Sequence, residues 1–226
     1  MNPHLQTPLI HHGAPIGVPG AATILVHGRG QEPATMLDIA RRIDLPTMPY
    51  LALQAADHTW YPKSFLAPVA ENQPYLDYAL ERLDRTVDYL HASGYSSKQI
   101  IFVGFSQGAC LSCEYVRRRP ARWGGLVSFT GGLIGSQIGK PGAALNGTPI
   151  LITGSETDEF VPLQRMKDSA ALFQRMDAIV REQYYPDAEH HVNDAQIGEA
   201  RALMGLAQYL APGMARPLCP ETSMNG

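Results

Sequence analysis

Hydrophobic positions along this chain change their period from segment to segment. Residues 22–26, 50–55, 125–129 and 149–153 are short apolar runs. Runs of that length without polar alternation read as strands buried on both faces. The clearest, 99–103, is nearly all β-branched or aromatic; 179–185 reads as a further strand and 9–11 as a short edge strand. Between these runs the period lengthens. In 75–91 the apolar residues Leu76, Leu80, Leu83, Val87 and Leu90 recur at helical spacing, and Gly94 stops the pattern. Residues 36–43, 107–119, 163–176 and 195–210 also read as helices, and the aromatic-rich stretch 56–74 as a loop. Strands alternating with helices call for an α/β fold whose central sheet is mostly parallel, with helices on both faces. We find no repeat, low-complexity tract or linker, so residues 1–226 read as a single domain, with 1–20 and 212–226 peripheral.

Composition narrows the function classes. The chain has 226 residues, 45% of them apolar, and a formal net charge of −3. That balance gives no reason to expect nucleic acid or an anionic membrane as partner. The one basic cluster, Arg117, Arg118, Arg119 and Arg122, falls at the end of a predicted helix, where cations complement the dipole. Three cysteines imply no disulfide framework. The Cys110–Cys113 pair lies inside a predicted helix without a second pair or a histidine at ligand spacing, so helix packing is expected and no metal. Phosphate-loop and dinucleotide fingerprints are missing, so no cofactor is expected. No basic-then-apolar leader opens the chain and no apolar run reaches the length of a membrane span. A cytoplasmic protein is expected.

The chemistry is carried by Gly104-Phe105-Ser106-Gln107-Gly108, a G-x-S-x-G pattern between a predicted strand and a predicted helix. In that setting a serine on a sharp turn projects its hydroxyl above the sheet, and the free amides of the following helix face the reacting centre. Around it the segments ILVHGRG, HTWYPKSFLAP, IFVGFSQGA, TGSETDEFVP and YYPDAEHHVND occur in order, each at or just after a predicted strand. From about 22 to 210 the sequence resembles the phospholipase/carboxylesterase family of α/β-hydrolases.

That resemblance implies an α/β-hydrolase fold without a large lid and a Ser-His-Asp triad that cleaves carboxylic esters through an acyl-enzyme. Ser106 takes the nucleophile's place. The acid follows a later strand. The family's G-x-x-D-x-x-V-P is matched by Gly154 to Pro162 with one extra residue before the aspartate, and the intact second half selects Asp158 over Glu156 and Glu159. The base lies in a loop after the last strand. The family's H-x-[IV] selects His190, followed by His191 and Val192, although Glu189 stands where relatives often carry a small residue. His27-Gly28-Arg29-Gly30 resembles the family's H-G-x-G, which makes the backbone amides of Arg29 and Gln107 the expected oxyanion donors. The Arg29 side chain is expected either in solvent or reaching an anionic part of a substrate. Trp60 and Tyr61 are expected to border the substrate pocket, with packing of the loop onto the sheet as the alternative for both, and His191 is expected at its entrance.

The implied partner is a small-molecule ester, small or extended and soluble. An acyl thioesterase or lysophospholipase with the same triad is the nearer alternative. A non-catalytic α/β-hydrolase binding module is the more distant one. The oligomeric state stays open, a homodimer included.

Overall fold

The computed structural model describes residues 1–186 and 189–210. Cys219 and the predicted peripheral tail from 212 lie outside the described residues. Seven strands hydrogen-bond into one sheet: β1 (Leu9–Gly13), β2 (Ala22–Val26), β3 (Pro49–Leu53), β4 (Ile100–Phe105), β5 (Gly125–Phe129), β6 (Pro149–Ser155) and β7 (Ile179–Tyr185). Their order across the sheet is β1-β3-β2-β4-β5-β6-β7. Only the edge pair β1–β3 is antiparallel; the other five pairs run parallel. The helices are α1 (Pro33–Ile43), α2 (Tyr75–Ala92), α3 (Gln107–Arg118), α4 (Leu163–Arg175) and α5 (Asp194–Leu210).

Successive strand residues point to opposite faces, and each face is covered. Ile24, Val26, Ile100, Phe102, Leu126 and Ile150 pack under α2, α3 and α4. Their neighbours Leu25, Ile101, Val103, Val127 and Leu151 pack under α1 and α5. Both sets are fully buried, which is why these strands read as continuous apolar runs. Each such side chain contributes on the order of 1.5–3 kcal/mol.

Several element boundaries differ from the sequence pattern: β1 runs on to Gly13, β6 to Ser155 and α1 starts at Pro33, and two further differences have identifiable reasons. The run 50–55 stays in the ladder only to Leu53, because the Ala55 N–H bonds instead to His27 Nε2 at 3.0 Å. The strand read over 99–103 starts at Ile100 and continues to Phe105; before it a Ser96–Gln99 capping box winds one 3-10 turn. The arginines at the end of α3 are tied down. Arg117 and Arg118 pair with the fully buried Glu114, and Arg119 pairs with Asp84. Cys110 and Cys113 are buried in α3 with free thiols. No helix among the described residues is long and apolar enough to cross a membrane.

The chain leaves β2 toward β3 on one side and returns at β4 on the other. The carboxyl ends of β2 and β4 therefore flank a topological switch point, where ligands of open α/β sheets bind.

Candidate active site

β4 ends in a turn that the local sequence makes sharp. Ser106 adopts φ 53° and ψ −119°, a conformation that costs a non-glycine residue on the order of 1–3 kcal/mol. Its N–H is held by Phe129 O at 2.9 Å, so β5 fixes the turn. The flanking glycines are required by close approach. A Cβ on Gly104 would meet Gly108 O at 2.4 Å, and one on Gly108 would meet Val26 O at 2.1 Å. α3 thus starts against the backbone of β2, directly behind Ser106.

The loop after β6 brings up a carboxylate. β6 runs on through Gly154 and Ser155, so the residue extra to the family spacing sits in the short loop before Asp158. Asp158 Oδ1 accepts from the N–H groups of Phe160 and Val161 at 2.8 and 2.9 Å. Oδ2 faces His190 Nδ1 at 2.7 Å, and the carboxylate side chain is fully buried. His190 Nε2 lies 2.8 Å from Ser106 Oγ. An imidazole whose Nδ1–H donates to a carboxylate presents the Nε2 lone pair, here toward the hydroxyl. The ring is packed between Phe105 and Phe160, at centroid distances of 5.0 and 4.9 Å. Two residues on, Val192 is buried against the core face that α1 and α5 cover. This arrangement can pass a proton from the Ser106 hydroxyl to the imidazole while Asp158 holds the ring in one orientation.

The loop after β2 sits beside it. His27 is fully buried, with Nε2 accepting the Ala55 N–H, so its proton is on Nδ1 and donates to Gly28 O at 2.7 Å. Burial holds this imidazole below the ordinary histidine range, and the bond to Gly28 only partly offsets that. Gln31 Oε1 accepts the Gly28 N–H at 2.9 Å, and Gly30 donates to His58 O at 2.7 Å. The Arg29 N–H has no acceptor among the described residues. The Gln107 N–H belongs to the first turn of α3, whose amides have no intrahelical partner.

The surrounding cavity has a volume of about 380 Å³. Ser106, His190, Gln107 and Cys110 line it together with Phe160, Val161, Tyr61, Phe65, Lys63 and Arg29, among others. Burial drives the Tyr61 phenol well above its usual range and the Cys110 thiol up to about 12, so neither ionises near neutrality.

Two expectations meet a different geometry. Trp60 is fully buried and absent from the cavity wall. Its indole N–H donates to His27 O at 2.8 Å, and its ring packs between His4 and His27 at 5.4 and 5.1 Å. It fastens the loop to the sheet, because a buried indole needs an acceptor for its N–H and finds one there. His191 does not line the cavity. Its side chain is 44% exposed beside Glu189. The Arg29 side chain meets neither expectation alone. It is exposed, yet it donates to the carbonyls of Pro62, Tyr61 and Lys63 at 3.0, 2.9 and 2.7 Å.

Several residues with a part in the site gave no signal as such. The Gln107 side chain brackets the aromatic loop, accepting from Trp60 N–H at 3.0 Å and donating to Tyr61 O at 2.8 Å. Asn72, fully buried, does the same for Lys63 N–H and Ser64 O at 2.8 and 3.0 Å. Phe160 was readable only as the residue two after Asp158.

With strands, crossovers and elbow in this arrangement, the fold is that of the α/β-hydrolases. Residues 14–204 match the profile of the phospholipase/carboxylesterase family, and the chain belongs to that family. It is similar to a phospholipase/carboxylesterase from Dyadobacter fermentans: the two share 35% identity and superpose with a TM-score of 0.84 over 89% of this chain and 97% of the other. A Bacillus cereus carboxylesterase, 16% identical, shares the fold with a TM-score of 0.73 over 89% and 95% of the two chains. Acyl-protein thioesterase 1 of Gibberella zeae is 28% identical over 116 residues, 50% of this chain. The chain spans about half the length of that relative, 49%. Family and neighbours are ester hydrolases.

Proposed function

We propose that this protein hydrolyses carboxylic esters through an acyl-enzyme formed on Ser106, with His190 as general base and Asp158 as its orienting carboxylate. The observation that carries this reading is the single His190 ring within hydrogen-bonding distance of both the Ser106 hydroxyl and the Asp158 carboxylate. As Ser106 Oγ attacks the ester carbonyl, its proton passes to His190 Nε2. The resulting imidazolium is stabilised by the buried Asp158 carboxylate. Negative charge develops on the carbonyl oxygen, where the amides of Arg29 and Gln107 would receive it; such donors each supply roughly 3–4 kcal/mol. The imidazolium then protonates the leaving alcohol, and water repeats the sequence to free the acid.

The walls Tyr61, Phe65, Phe160 and Val161 supply apolar contact for the acyl or alcohol chain, and about 380 Å³ accommodates a small one. Thioesters are a second substrate class, favoured by the likeness to an acyl-protein thioesterase. The same groups would act on either bond.

The test is Ser106→Ala assayed on p-nitrophenyl esters of rising chain length beside a thioester and a lysophospholipid. Activity should fall on the order of 10⁶-fold, and a fluorophosphonate should label the wild-type protein at Ser106 but not the variant. More than a few per cent residual activity in a folded variant would refute the assignment.

A further inference from the structure

We infer that the cavity selects esters whose acyl chain ends in a carboxylate, recognised by Arg29 and Lys63. The inference rests on the esterase reading of the cavity and adds the charge of its substrate.

Two cations line the cavity beside Ser106, Arg29 and Lys63, and no Asp or Glu lines it among the described residues. The acidic side chains of the neighbouring loops, Glu156, Glu159 and Glu189, stay outside the wall. Neither cation forms an ion pair among the described residues, whereas Arg41, Arg42, Arg85, Arg117, Arg118, Arg119 and Arg181 each do. An unpaired charge on a protein surface is ordinary. Two on the wall of one small cavity that holds a nucleophilic hydroxyl are not.

Arg29 is also held in place. Three of its N–H groups reach the carbonyls of Tyr61, Pro62 and Lys63. A guanidinium has five such donors, so two remain. The carbonyls orient the group without cancelling its formal charge. The two that remain, on Nε and Nη1, share no fork, so the group, fixed in advance, offers a carboxylate its charge and a single hydrogen bond while losing little freedom. Lys63 adds a second charge on a freer stem. Its backbone N–H and carbonyl are the parts engaged, by Asn72 and Arg29, which leaves the ammonium available. Pro62, Phe65, Phe160 and Val161 supply apolar lining beside the polar Ser64 and Gln107, so the ligand that matches is a short hydrocarbon chain joining a scissile carbonyl to an anion.

Phenyl valerate and monophenyl glutarate differ by a terminal carboxylate in place of a methyl group and test this directly. Binding is measured by calorimetry on Ser106→Ala, which does not depend on turnover, and kcat/KM on the wild type. The anionic ester should be favoured about tenfold in both at low salt, from two exposed charges. That preference should shrink toward about twofold near 0.5 M NaCl. Lys63→Glu, which alters a side chain without structural bonds, should remove the preference or reverse it, and Lys63→Met should reduce it about threefold. Equal or weaker binding of the glutarate ester, or a preference unmoved by Lys63→Glu, would overturn the inference. Wild-type protein that turns over neither ester would overturn the esterase reading instead, while the two dissociation constants still decide the charge preference.

Discussion

The turn at Ser106 and the loop from Ala55 to Phe65 meet in the same cavity but are built in opposite ways. The turn is specified by contiguous residues. Gly104 and Gly108 let α3 start within backbone contact of β2, and Ser106 takes the strained corner between them. The loop has no ladder and only short 3-10 turns, so its polar backbone must find partners elsewhere. They come from five side chains outside the loop. His4 and His27 accept the N–H groups of Ala56 and Ala55, Gln107 brackets Trp60 and Tyr61, Arg29 gathers three carbonyls, and Asn72 holds Lys63 and Ser64. The proposed nucleophile is thus placed by its own turn and the strands it packs on, and the loop lining the cavity is placed by side-chain hydrogen bonds from outside it. Substitutions at the first should abolish chemistry; substitutions at the second should retune it.

The largest effect is expected at the proposed base. His190→Ala should approach the loss at Ser106, on the order of 10⁴- to 10⁶-fold in kcat. His191→Ala should cost tenfold or less, through loop packing. Both are assayed on one short-chain ester, with circular dichroism to verify folding. An inactive His191→Ala beside an active His190→Ala would reverse the register of the pair.

A smaller effect is expected at the bracket. Asn72→Ala leaves Lys63 N–H and Ser64 O without their buried partner, a loss of about 1–3 kcal/mol. The melting temperature should drop by about 5 °C, and KM should rise severalfold while kcat changes little, because Ser106 and His190 do not touch Asn72. An equal loss in kcat would show that the wall and the reacting centre are not separable.

The smallest effect concerns acid. His4 and His27 are both lowered from 6.5 by burial, and each accepts a backbone N–H that a protonated ring would repel. The unfolded chain therefore takes up these protons first as pH falls. Their contribution to stability is complete above about 6.5 and declines below it, down toward the lowered folded values. The melting temperature should decrease from pH 7 to pH 5, and His4→Gln should flatten that decrease. A variant with the same slope as wild type would remove His4 from the acid response.

The sequence by itself determined the five central strands, β2 to β6, and the helices between them, because burial on both faces of the sheet leaves continuous apolar runs and helical coverage leaves a 3.6-residue spacing. It also singled out Ser106, since glycines two residues to either side of a serine after a strand are legible without any partner. The aspartate was legible as a register position, although only the structure shows β6 continuing to Ser155 and the loop closing on Asp158 through two backbone amides. Tertiary structure alone decided which way neighbouring side chains face. Trp60 turns inward to His27 while Tyr61 lines the cavity, and His190 turns to Ser106 while His191 turns to solvent. Within an irregular loop no period fixes those directions. They follow from hydrogen-bond partners dozens of residues away, such as His27, Arg29 and Gln107, whose proximity exists only once the sheet has formed.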